Sequence, residues 1–127
     1  MAALRAAWAP IAVLLLHEVL ARRYGHDPYV DPAMHFLGGM AVAYWFYRVI
    51  KADGGLLGDL KDSAVYSVII GATAIVAFLW EFAEYIHATV RLGKSNTTPI
   101  NILSDQFLGL LGAAILIVIL VLKKRSE

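Results

Sequence analysis

Four long apolar stretches divide the chain, and short polar segments separate them. They run over Trp8–Tyr24, Ala33–Ile50, Ala64–Val90 and Pro99–Leu122. A helix that crosses hydrocarbon needs about 20 mostly apolar residues. Each stretch is therefore expected to form a transmembrane helix. The intervening segments, "ARRYGHDPYVDP", "KADGGLLGDLKD" and "RLGKSNTTP", are too short to hold a second domain. The expected fold is all-α: an integral membrane four-helix bundle, residues 1–127 in a single transmembrane domain, with short loops.

Local signals sharpen the boundaries. Asp31–Pro32 and Thr98–Pro99 each place a capping side chain ahead of a proline at the first helical position. Gly25, Gly54 and Gly55 suit helix ends and turns. Asn96–Thr97–Thr98 matches a glycosylation acceptor, a three-residue pattern that is common by chance. A cleaved leader is the alternative for the first stretch, with "VLA" before Arg22 as a crude cleavage site. His17–Glu18 interrupts the apolar run and argues against it.

Composition agrees with the hydropathy pattern. Hydrophobic residues make up 60% of the 127, against about 45–50% in soluble domains, and the mean hydropathy is +0.67. A chain this short has too little interior to hide that much apolar surface. The lipid bilayer is thus the expected surrounding. A formal net charge of +1 gives no electrostatic footprint for nucleic acid. The absence of cysteine excludes disulfides and thiolate chemistry.

Basic residues set the expected orientation. With four spans, Arg5, Arg48, Lys51, Lys61, Lys123, Lys124 and Arg125 share one side, and Arg22, Arg23, Arg91 and Lys94 the other. Both termini are therefore expected to be cytoplasmic, in a multi-pass protein of the bacterial inner membrane.

The ionisable residues then fall at one depth. His17 and Glu18 lie in the outer half of the first span, and Asp31 and His35 at the start of the second. Glu81, Glu84 and His87 lie near the end of the third, and Asn101 and Asp105 at the start of the fourth. At 1.5 Å per residue, most fall roughly 5–15 Å from the outer helix ends. At 100° per residue, Glu84 is central on its face, with Glu81 and His87 about 60° to either side. Asn101, Asp105, Gly109 and Gly112 form one stripe, and Asp31, His35 and Gly38 another. Small residues admit close helix approach in lipid, so these stripes are expected to face inward. A carboxylate in hydrocarbon costs about 2.5–3.5 kcal/mol. Pairing with imidazole, a shared proton or a metal would offset that cost.

The chemistry follows from the donor types. His35, Glu84, His87 and Asp105 are the expected ligands of a divalent metal ion, with zinc suited to imidazole and carboxylate. Glu84 and His35 are central to this set. His17, Glu18, Asp31, Glu81 and Asn101 form the supporting polar cluster. Asp31 reads first as a helix cap, and His17 as the inward member of the His17–Glu18 pair. A polar lipid head group is the other ligand class for the same cluster. One Glu-x-x-His motif, Glu84 to His87, is half of what a di-iron bundle requires. A haem between His17 and His35 needs a plane-sized gap that the sequence does not signal. The plain alternative is a structural network of hydrogen-bonded pairs. Two further roles compete: an accessory subunit of a larger membrane complex or homo-oligomer, and a proton or ion pathway. The inner half carries almost no polar groups, which disfavours a pathway.

The blocks "DPAMHFLGG", "WEFAEY" and "NILSDQFLGLLGA" resemble those of small bacterial VanZ-like and YjdF-like (DUF2238) membrane proteins. The resemblance covers about Asp31 to Ala114 and highlights Asp31, His35, Glu81, Glu84 and Asp105. Two positions depart from it. Asn101 stands where a first acid is expected, and His87 where an acid often follows the glutamate pair. The VanZ-like link to glycopeptide resistance carries no settled mechanism. The resemblance therefore implies a membrane topology and a polar cluster, without a named reaction.

Overall fold

In the computed structural model, the described residues are 2–24, 27–52, 60–92 and 98–126. Gly25, Gly54, Gly55, Asn96 and Thr97, expected in turns or in the glycosylation triplet, lie outside them. The described chain is helical. A short α1 (Ala2–Ala6) leads into α2 (Trp8–Tyr24). Three long helices follow: α3 (Val30–Ala52), α4 (Asp62–Leu92) and α5 (Pro99–Ser126). The apolar stretches thus mark four long helices, and α3, α4 and α5 run a few residues past the expected limits.

Among the described residues, three segments are long and apolar enough to cross a membrane: Leu4–Tyr24, Asp62–Val90 and Pro99–Ser126. The expectation from hydropathy was four. α3 is absent from the set, and its place in the bundle gives the reason. It packs against α1, α2, α4 and α5, so less of its surface needs to be hydrocarbon. Asp31, His35 and several Gly, Tyr and Trp residues stand in its sequence instead.

Packing is close where side chains are small. A Cβ at Gly39 would stand 1.9 Å from the carbonyl oxygen of Gly109, and one at Gly112 would stand 2.1 Å from that of Phe36. α3 and α5 therefore meet backbone to backbone, as small residues allow in lipid. The sequence stripe singled out Gly38 as the packing glycine of α3. Instead, its neighbour Gly39 makes the contact, and nothing lies within 4 Å of a Cβ at Gly38. The core is small: Ala43, Val65, Ile69 and Ala113, with Phe46, Tyr47 and Leu116 against them. Large apolar side chains point outward instead, including Leu15, Val19, Ile75, Phe78, Phe107 and Val118. This distribution suits a hydrocarbon surrounding, where burying a leucine gains little.

Successive long helices run in opposite directions. At one end of the bundle, Asp62 at the start of α4 pairs with Lys51 near the end of α3 at 3.0 Å, and with Lys124 near the end of α5. The other end carries the polar cluster.

Candidate metal centre

Each of the four long helices contributes to the cluster through its local sequence. Asp27 caps α3: its Oδ1 accepts the backbone N–H of Tyr29 at 2.8 Å and of Val30 at 3.1 Å. Pro28 occupies the first turn, where its missing N–H costs nothing. The cap expected at Asp31 is thus corrected. The chain holds two Asp-Pro pairs four residues apart, and the earlier one starts the helix. Asp31 then lies one turn inside, with its carboxylate turned toward the histidines. At α5 the expected cap stands. The Thr98 hydroxyl accepts the Asn101 N–H at 3.4 Å and donates to Asn101 Oδ1 at 2.9 Å.

His35 is the centre of the arrangement, with its side chain 8% exposed. Its Nδ1 stands 3.4 Å from Glu81 Oε1. Its Nε2 stands 3.6 Å from Asp31 Oδ1 and 3.9 Å from Asp105 Oδ2. That nitrogen is buried and has no hydrogen-bond partner among the described residues. His17 Nε2 lies 3.7 Å from the same Asp31 oxygen. The His17 ring stands 6.3 Å from the His35 ring and 5.8 Å from the Trp80 ring, centroid to centroid. Among the described residues, two groups of donor atoms lie within 4.8 Å of one another: Asp31, His35 and Asp105 in one, His35, Glu81 and Glu84 in the other.

Three sequence-named residues stay outside. Glu18 is exposed and pairs along its own helix with Arg22 at 3.7 Å. Asn101 is exposed and engaged with the α5 cap. His87 is exposed, which corrects its place in the expected ligand set. The reason is helical phase. The inward face near the end of α4 centres on Glu81, which is 5% exposed. Glu84 sits about 60° round from Glu81, and His87 about 120°. The sequence had centred that face on Glu84. His17 and Glu81, named only as supporting residues, belong to the cluster.

A cavity of about 230 Å³ opens from this cluster between the helices. His17, His35 and Asp105 line its polar end. Pro10, Leu14, Gly38, Val42 and Val76 line much of the rest, with Trp80 beside His17. Thr73 also lines it, with its hydroxyl buried and without a hydrogen-bond partner among the described residues.

With this geometry in place, comparison with known proteins supplies the family. The chain belongs to the DUF2238 family of predicted membrane proteins. The family's sequence profile matches residues 5–126, which span the four long helices α2 to α5. No curated protein and no solved structure matches the chain. The DUF2238 side of the sequence resemblance therefore holds, and membership adds no reaction to the geometry.

Proposed function

We propose that this DUF2238 protein crosses the membrane four times and binds a divalent cation near its outer face, with zinc best suited to the donors. His35 Nε2, Asp31 and Asp105 are the ligands. Glu81 orients the His35 ring through Nδ1, and Glu84 supports it. The observation that carries this reading is the buried Nε2 of His35, held 3.6 Å and 3.9 Å from two carboxylate oxygens. Such separations are too long for hydrogen bonds. They are near the edge of a tetrahedron about a zinc ion, roughly 3.4 Å for bonds of about 2.1 Å. The opposite nitrogen meets a carboxylate, the usual partner of a ligating histidine. Three protein ligands leave a coordination position for water or a substrate oxygen, as hydrolytic metal sites require. Both termini are cytoplasmic in this reading, as the Lys and Arg distribution favours.

Elemental analysis with native mass measurement of the purified chain tests the proposal. One zinc per chain is expected, lost in His35→Ala and Asp105→Asn and retained in His87→Ala. A protein that folds without metal and copurifies with larger subunits would instead support the accessory role.

A further inference from the structure

The cavity shares its polar end with the proposed metal site but is otherwise apolar, and this asymmetry is informative. Its volume is about 230 Å³, whereas apolar cavities of roughly 150 Å³ accept a benzene-sized guest. Among the described residues, α2 makes no backbone contact with α4 or α5. The His17–Trp80 ring contact bridges α2 and α4 at one level. Away from that bridge, the cleft between α2 and α4 is lined by apolar side chains, among them Val13, Leu14 and Val76. Hydrocarbon chains are what surrounds a membrane-spanning bundle at this depth.

The polar end selects the head group. Of the four cluster carboxylates, only Asp105 lines the cavity, beside the two imidazoles of His17 and His35. The two ligand carboxylates already balance the charge of a divalent cation, so its open coordination position, not net charge, selects the head group. A phosphate oxygen can occupy that position, and a quaternary ammonium, which has no donor atom, cannot. Counted from the helix ends, the cluster residues lie from about 2 Å (Asp31) to about 16 Å (Glu81) along the helices. That depth adjoins the phosphate layer of a bilayer whose polar regions add roughly 5–8 Å on each side.

We infer that the cavity binds a membrane amphiphile, its alkyl chain in the cleft past Gly38 and its phosphate head group on the metal between His17 and His35. This rests on the metal reading for the anchor of the head group. It also names the substrate class of that site: a single-chain or diacyl lipid phosphate. Gly38 gives the cleft its depth, because no atom fills the space where its side chain would stand.

Trp80 borders the cavity and reports on it. In full-length protein carrying Trp8→Phe and Trp45→Phe, Trp80 is the remaining indole. Bromine quenches an indole only on near contact. Titration with a dibromododecyl phosphate, in non-brominated detergent with zinc present, is expected to quench Trp80 saturably. Plain dodecyl phosphate should restore the emission, and dodecyltrimethylammonium should not. Gly38→Leu is expected to abolish the saturable component while zinc stoichiometry stays at one. Gly38→Ala, the milder filling, should weaken the apparent affinity severalfold.

Zinc bound normally, with quenching that never saturates or ignores both Gly38 variants, would overturn the inference and leave the metal reading standing. Competition by the ammonium amphiphile as strong as by the phosphate would overturn the head-group assignment. Saturable, Gly38-dependent and phosphate-selective quenching without any zinc would sink the metal reading and support the lipid-phosphate cavity. Absence of both zinc and saturable quenching would remove both.

Discussion

Gly38 and Gly39 are adjacent, lie in one helix and gain the same helix propensity on mutation to alanine, about 1 kcal/mol each. Their surroundings differ completely. An added methyl at Gly38 meets nothing within 4 Å, while one at Gly39 would stand 1.9 Å from the Gly109 carbonyl oxygen, 2.5 Å from its carbon and 2.7 Å from its Cα. These are backbone atoms and cannot rotate away. α3 and α5 must part by at least about 1 Å to restore an ordinary contact of roughly 3.5 Å. Overpacking of this kind costs about 1–3 kcal/mol. Gly39→Ala is therefore expected to melt below Gly38→Ala by about 2 kcal/mol, or roughly 6–10 °C for a chain of this size. The same displacement separates His35 on α3 from Asp105 on α5, and metal ligands tolerate only about 0.2 Å of error. Zinc uptake should thus fall in Gly39→Ala without any ligand being touched. Thermal melting in detergent and elemental analysis of both variants provide the assay. Equal melting temperatures would refute the backbone-contact reasoning. Lower stability with undiminished zinc would refute the link from helix spacing to the site.

Three further predictions concern single side chains. Glu81→Gln is expected to weaken zinc affinity about 10–100-fold through the lost orientation of His35, while Glu18→Gln leaves it unchanged; competition with a chromophoric chelator measures both. Thr73→Val replaces a buried hydroxyl that has no hydrogen-bond partner among the described residues, so the melting temperature should stay or rise; a clear drop would mean the hydroxyl has a partner. Asp27→Ala removes the cap of α3 and should cost about 0.5–2 kcal/mol, whereas a cap at Asp31 would leave Asp27→Ala neutral in the same melting assay.

The long helices were legible because hydrocarbon imposes a simple demand on composition. Trp8–Tyr24 was found at both ends from its flanks alone, and Pro99 was found as the start of α5. The common depth of the ionisable residues was legible for the same reason, since 1.5 Å per residue converts position into height. His35 could be singled out because an imidazole one turn inside an apolar helix needs a partner.

Angular placement was less accessible. Phase counted along one helix gives the relative angles of Glu81, Glu84 and His87. It does not give the direction in which the neighbouring helices lie, and a shift of about 60° exchanged Glu81 for Glu84 as the inward residue. The choice between Gly38 and Gly39 failed for the same reason. Asp27 was missed because two Asp-Pro pairs carry the same local signal, and only the backbone path decides which one starts the helix.

The sequence by itself determined the lengths of the helices, their apolar character and the level at which their polar groups lie, because each depends only on spacing along one helix and on transfer from water. The tertiary structure alone decided which donors converge on His35 Nε2, that α3 and α5 touch through glycine backbone, and that a cavity opens beside the cluster. Those features depend on the rotation and separation of helices packed against one another, which no periodicity within a single helix encodes.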